Sequence, residues 1–255
     1  VLWPHPVRVA LDTLTRVVRI EKIGELPEVL LAAVGWQPEA DDRALDKQAR
    51  DECARLGWLD HRGHLDVDVA SALRVLCLAS TEVYGWITVG RTTTGVLACS
   101  NGRQALLAIR HEPWVSLCSI KPGALTRSAI AQAPDVPTGP GKPIQVRRSD
   151  ALAFDGGRPH AHGGVAVRPV PLEVRRLTRI ADLQRTGAGE FHVAVRDAIG
   201  RRRSSADPVG YVDTVAGRYV TVTATVDGEA AMLLAPTSHR DLVTRLDNTL
   251  SSLTT

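Results

Sequence analysis

The histidines of this 255-residue chain come closest together at His61-x-x-His64 and His160-x-His162. A structural metal site asks for four nitrogen or sulfur ligands in a closed set. Neither pair has a cysteine or a third histidine near it in sequence, so both are expected as solvated loop histidines. The cysteines, Cys53, Cys77, Cys99 and Cys118, form no Cys-x-x-Cys pair, and each falls within an apolar face. They read as small buried hydrophobes of a reducing compartment rather than as disulfides or zinc ligands. Serine nucleophiles lack the Gly-x-Ser-x-Gly elbow, and no glycine run matches a phosphate loop or a dinucleotide fingerprint. Gly187-Ala-Gly189 precedes an expected strand rather than a helix, the wrong order for cradling phosphate on a helix N-terminus. One dispersed set, Glu190, His192 and Asp213 on neighbouring expected strands, supports an alternative reading as an enzyme. No cofactor, catalytic residue or metal ligand is assigned.

Binding chemistry is better represented. Arginines cluster at Arg147-Arg148, at Arg175, Arg176 and Arg179, and at Arg201-Arg202-Arg203. Contact with nucleic acid would need them on one face with aromatics interleaved. Aromatics are only 4% of the chain and the net charge is only +3, so nucleic acid stays an alternative, and a solvated face or an acidic protein patch fits better. Arginine far outnumbers lysine, which occurs only at 22, 47, 121 and 142. That bias fits a high-GC genome such as an actinobacterium's and says nothing of binding. The segment Arg218–Val226 alternates strictly, with Tyr219, Thr221, Thr223 and Thr225 on one side and Val220, Val222, Ala224 and Val226 on the other. One side belongs to a core, and the Thr/Tyr side suits a sheet surface that is either solvated or turned toward another protein.

The elements that would position these residues repeat. Tyr84–Pro134 and Glu190–Leu253 each read strand, strand, tight turn, long strand, turn, strand, helix. Gly102-Arg103 and Gly217-Arg218 stand in the same register, as do the acidic turns at Glu112 and Asp227. A duplicated hairpin-plus-helix unit implies a pseudo-twofold sheet protein. The copies differ at one hairpin, which closes through Gly90–Thr93 in the first and carries the polar insertion Asp197–Pro208 in the second. Upstream, Val7–Leu11 reads as a strand, Leu14–Ile20 as its continuation or a short helix, and Glu28–Val34 as a second strand. Asp41–Gly57 is a helix capped by Asp41 or Asp42 and ended by Gly57. A second helix starts at Asp66 or Asp68. Leu172–Gln184 is a basic amphipathic helix released by Gly187 and Gly189. Ser238 caps a last helix whose stripe is Leu242, Val243, Leu246, Leu250 and Leu253.

Apolar content of 44% and charged content of 23% are those of a folded soluble protein, and no apolar run reaches the ~20 residues that span a bilayer. A chain of this length buries roughly three quarters of its unfolded surface. The expected organisation is an N-terminal half over 1–135, a Pro/Gly-rich linker or loop over 136–169, and a C-terminal half over 170–255, forming one compact unit. No signal peptide is visible, and a cytoplasmic location is expected.

Three segments carry a resemblance. The first is Leu45–Asp60, then His61-Arg62-Gly63 and Leu65–Ala70; the second is Tyr84–Val89 with its hairpins; the third is Gly189–Ala194 followed by Asp213-Thr-Val-Ala-Gly-Arg218. Together they resemble the EspG family, chaperones of type VII (ESX) secretion, and Asp213–Arg218 is the most specific match. Pro134–Arg168 has no clear counterpart in that family, Leu172–Gln184 is shorter than usual, and Gly90–Thr93 is short where relatives carry a longer loop. The resemblance implies an α/β fold of α+β type, with two quasi-twofold-related halves and a central antiparallel sheet flanked by helices. It also implies a cytosolic chaperone that binds the tip of the PPE subunit of a PE–PPE heterodimer through the sheet and the C-terminal helical region. Cofactor, nucleic acid and membrane play no part in that role, and the chain would be a monomer or weak homodimer. On this chain the resemblance points to Tyr219, Thr221, Thr223 and Thr225, to Arg201, Arg202 and Arg203, and to Leu246, Leu250 and Leu253 as partner-binding residues.

Overall fold

A computed structural model describes residues 2–31, 42–147, 149, 172–226 and 228–254. Eleven strands among them form one antiparallel sheet. The first half supplies β1 (Val7–Ala10), β2 (Thr81–Val89), β3 (Thr92–Ser100), β4 (Ala105–His111) and β5 (Trp114–Ile120). After β6 (Ile144–Arg147) come β7 (Arg185–Arg196), β8 (Arg202–Ser204), β9 (Val209–Thr214), β10 (Gly217–Val226) and β11 (Glu229–Pro236). The spatial order is β1-β5-β4-β3-β2-β7-β9-β10-β11-β6, with β8 beside the end of β7. The two halves therefore mirror each other across the β2–β7 pair, where Gly85 stands opposite Phe191. The duplicated unit read from the sequence is this pseudo-twofold sheet.

The helices are α1 (Leu11–Ile20), α2 (Asp42–Arg55), α3 (Val67–Leu78), α4 (Leu125–Ile130), α5 (Leu172–Ala181) and α6 (His239–Thr254). Strand alternation assigns them to faces. Leu97, Cys99, Leu106, Ala108, Val115 and Leu117 point to one face of the first half and share a core with α1, α2 and α3. Val83, Ile87, Phe191, Val193, Tyr211 and Val220 point to the opposite face and share a core with α4 and α6. The two helices that end the repeats thus pack side by side on one face of the sheet. Ile144 and Val146 of β6 form a small third cluster with Val174, Leu177 and Ile180 of α5.

Local chemistry explains the boundaries. Asp66 caps α3, its Oδ1 accepting from the amides of Asp68 and Val69 at 2.9 and 3.3 Å. Ser238 caps α6 reciprocally: Ser238 Oγ accepts from the Asp241 amide at 3.2 Å, and Asp241 Oδ2 accepts from the Ser238 amide at 2.9 Å. Leu11, Leu14, Val17 and Val18 bury one stripe, so the ambiguous segment after β1 is helical. No side chain of its own caps α1. The buried Glu52 of α2 reaches over instead, accepting from the Ala10 amide at 3.1 Å and from Thr13 Oγ1.

Four expectations need correction. Glu28–Leu30 is a single 3-10 turn after Pro27 rather than the start of a strand; Val29 and Leu30 are both fully buried, which an alternating strand does not allow. The turn joining β2 and β3 is the two residues Gly90 and Arg91, with Gly90 at φ 59°. Gly187 and Gly189 lie inside β7, because Gly189 sits against the Tyr211 ring, where a Cβ would be 2.7 Å from Cζ. The Pro/Gly-rich stretch contributes β6 as an edge strand on β11, and Thr138 bridges to Arg218. The expected cap Asp41, residues 32–34 of the expected second strand, Arg148, His160, His162 and Asp227 lie outside the described residues.

Candidate functional site

The sheet face that carries α1, α2 and α3 is open in its middle. Register places Tyr84 and Trp86 of β2, His192 of β7, Val212 of β9 and Thr221 of β10 on that face, and all are half-buried. Thr223 and Met232 beyond them are exposed, Met232 by 49%. The α1–α3 layer bounds this strip on one side, where Tyr84 and Trp86 pack against its core. Segment 137–140 and the β6–α5 cluster bound the other.

The three rings form an ordered group. His192 stacks on Tyr84 with centroids 5.3 Å apart and planes 16° apart. Trp86 meets both edge-on at 6.4 Å. Arg202 lies over the Tyr84 ring, 5.0 Å from its centroid. Arg202 is itself pinned, since its Nη2 and Nε donate to Glu82 Oε2 at 2.8 and 3.0 Å. Glu82 is only 3% exposed and also meets Arg196 at 3.7 Å. A cleft of about 530 Å³ opens beside this group, bordered by Glu25, Leu78, Tyr84 and Arg202.

The residues proposed from sequence do not form one surface. Thr221 and Thr223 lie on the open face; the Thr225 side chain is outside the described set. Tyr219 shares that face but is 1% exposed: Gly139 lies flat on its ring, and its hydroxyl donates to the Pro140 carbonyl at 3.1 Å. Leu246 is fully buried, and Leu250 and Leu253 pack against the same core under α6, on the opposite side of the sheet. A partner cannot touch Tyr219 or Leu246 unless the chain covering them moves.

The arginine cluster is similarly divided. Arg201 pairs with Asp197 at 3.2 Å within its own turn. Arg202 is committed to Glu82 and Tyr84, and Arg203 donates to the Leu253 carbonyl at the C-terminal end of α6. The insertion Asp197–Pro208 is therefore a folded return in which β8 pairs with β7, not a free polar loop. Three neighbouring arginines pointing to three separate partners do not make a phosphate-binding face.

The dispersed catalytic set also separates. Glu190 and His192 share the open face, whereas Asp213 points to the other and is 1% exposed. Asp213 Oδ1 and Oδ2 accept from Arg218 Nε and Nη2 at 2.6 and 2.8 Å. Arg218 is fully buried; it lies over the Tyr211 ring and donates to the Pro134 carbonyl at 2.8 Å. Burial raises the Tyr211 phenol well above its ordinary pKa, with Arg218 opposing. His61 and His64 are exposed and sit in a turn that Asp60 organises, accepting from the Arg62 and His64 amides. Among the described residues no three or more His, Cys, Asp or Glu converge as a metal site. Burial pushes the Cys53 thiol up to about 11 and the Cys77 thiol to about 12, as expected of packing groups rather than nucleophiles.

Sequence reasoning missed the Glu82–Arg202–Tyr84–His192–Trp86 group. Its signal was the alternation of Glu82, Tyr84 and Trp86, but the pairing that sets Tyr84 opposite His192 is tertiary.

A sequence model of the EspG family matches residues 10–248. The chain belongs to the EspG family. Its fold is shared with the Mycobacterium tuberculosis type VII secretion system chaperone EspG5, solved in complex with the PE25–PPE41 dimer. The TM-score is 0.70 at 11% identity, covering 98% of this chain and 96% of EspG5. No curated protein matches. The α/β architecture that the resemblance implied is thus the architecture of the family to which the chain belongs. No helix among the described residues is long and apolar enough to cross a membrane.

Proposed function

We propose that this EspG-family member is a cytosolic, non-enzymatic chaperone of type VII secretion that binds the PPE subunit of a PE–PPE heterodimer. The observation that carries this reading is that its fold matches, over nearly the whole of both chains, a chaperone solved with such a dimer. The open strip of sheet around Trp86, Thr221 and Thr223 supplies a surface for the task. It is rigid, because each strand in it is paired on both sides, so little entropy is lost on docking. It is amphipathic, with half-buried rings and Val212 beside threonine hydroxyls, and with the exposed Glu190 in the row between Trp86 and Thr221. An apolar helical tip would bury on the order of 1,200–2,000 Å² in total against such a surface. Arg201, Leu250 and Leu253 stand away from the strip, so the proposed contact centres on Thr221, Thr223 and Thr225 and their neighbours across β9 and β7.

The test is co-expression with PE–PPE pairs of the source genome followed by size-exclusion chromatography. A ternary complex with one chaperone per PE–PPE pair is expected. If no pair co-elutes under conditions where EspG5 retains PE25–PPE41, the proposal fails.

A further inference from the structure

We infer that the insertion distinguishing the two halves acts on client binding through Arg202, a positioning residue that holds the Tyr84–His192–Trp86 ring group as the affinity-determining anchor of the open face. The inference rests on the chaperone reading above and names which residues of the surface carry it, and for what occupant: the apolar tip of a helical client.

The argument starts from burial. Glu82 is a carboxylate 3% exposed at the rim of an otherwise half-open face, and such a group is costly unless it is paired and hydrogen-bonded. One partner comes from the insertion, Arg202 with two bonds to Oε2, and the other from the end of β7, Arg196 at 3.7 Å from Oε1. The result is a guanidinium fixed in place, with its Cζ 5.0 Å from the centroid of the Tyr84 ring. His192 stacks on the same ring. Tyr84 is thereby held by both a cation and an imidazole, and Trp86 is braced edge-on against both rings. Aromatics fixed in this way present large contact area with little rotamer entropy left to lose, the property that makes Trp and Tyr dominant anchors at interfaces. The threonines on the same strip have no such mass and add polar contacts beside the rings.

The first half of the molecule has nothing equivalent at the corresponding turn, Gly90–Arg91, which is too short to send a side chain across the sheet. The asymmetry between the copies therefore has a specific consequence. It delivers one arginine to one carboxylate and thereby sets the ring group. Arg201 and Arg203 of the same insertion are used elsewhere, on Asp197 and on the end of α6.

The experiment uses the full chain and a PE–PPE pair that co-elutes with it, with affinity measured by calorimetry and folding checked by thermal melts. Trp86→Ala should weaken binding at least about tenfold, and His192→Ala, a half-exposed ring outside either core cluster, about fivefold. Arg202→Ala should weaken binding about tenfold, and Arg202→Lys should not restore it, because an ammonium lacks the planar fork that both pairs and stacks. The double variant R202A/W86A should bind within about threefold of W86A alone, because the arginine acts through the rings. Asn248→Ala, exposed on α6 across the sheet, is the control expected to bind normally. Losses that multiply toward ~100-fold in the double variant would overturn the positioning role of Arg202. Binding by W86A and H192A within about twofold of the unmodified chain would overturn the anchor while leaving the chaperone reading intact. Failure of every pair to bind the unmodified chain would overturn both.

Discussion

Several interactions converge on the Arg218 side chain. Its guanidinium pairs with Asp213, lies over Tyr211 and holds the Pro134 carbonyl. Its backbone amide donates to Pro137 O, and its carbonyl accepts from the Gly139 and Thr237 amides. The segment leaving α4 is thus tied to the start of β10, and through Gly139 it covers Tyr219. Replacing Arg218 by Met would leave Asp213 charged and unpaired at 1% exposure, a situation that costs about 3–5 kcal/mol. Urea denaturation should show a loss of that size for R218M, and a smaller one for the double variant D213L/R218M, which removes both charges. A change below about 1 kcal/mol in R218M would mean that the pair does not hold the segment. The Asp213–Arg218 match was visible in the sequence as a motif. Its role was not, because the carbonyl it holds lies 84 residues upstream.

Helix α6 depends on its capping box. The Ser238 amide and hydroxyl hold the Asp241 carboxyl below the usual carboxylate range, with Arg245 and Arg240 adding a smaller pull. A carboxyl lowered in the folded state contributes stability that is present above its unfolded pKa, about 4, and lost as pH falls through the lower folded value. The unmodified chain should therefore lose melting temperature on acidification below about pH 4. D241N should melt lower at neutral pH and show a shallower acid limb over that window. Equal acid limbs in the two proteins would exclude Asp241 as a contributor. At this scale the sequence was informative wherever a segment carries its own pattern. The caps at Asp66 and Ser238, the alternation of β10 and the stripe of α6 need no distant partner to be seen. β6 was missed because its four residues, Ile144–Arg147 after Pro143, become a strand only against Ala231–Leu234. Gly189 inside β7 reads as an interruption in sequence because what it accommodates is the Tyr211 ring on the neighbouring strand.

The two halves share one sheet, and the β2–β7 ladder from Thr81↔Val195 to Val89↔Gly187 is the seam between them. Gly85 occupies the centre of that seam opposite Phe191. A Cβ there would run into the Glu190 carbonyl and stand 2.9 Å from Phe191 Cα, both backbone atoms that cannot step aside alone. The core under α4 and α6 is continuous across it, with Val83 and Ile87 packed in the same cluster as Phe191, Val193 and Leu246. The molecule should accordingly unfold as one cooperative unit. All five tryptophans, at 3, 36, 58, 86 and 114, lie in the first half, so their fluorescence follows that half, while far-UV circular dichroism follows both. In urea the two signals should fall together. Gly85→Ala should move both midpoints down together by the equivalent of about 3 kcal/mol or more, in the range that marks a forced backbone clash. Two separated transitions in the unmodified chain would show that the repeats fold independently and that the seam is only a contact. A G85A variant with an unchanged midpoint would show that β2 and β7 can move apart, and the open face that crosses the seam would then lack the rigidity that docking a client there requires.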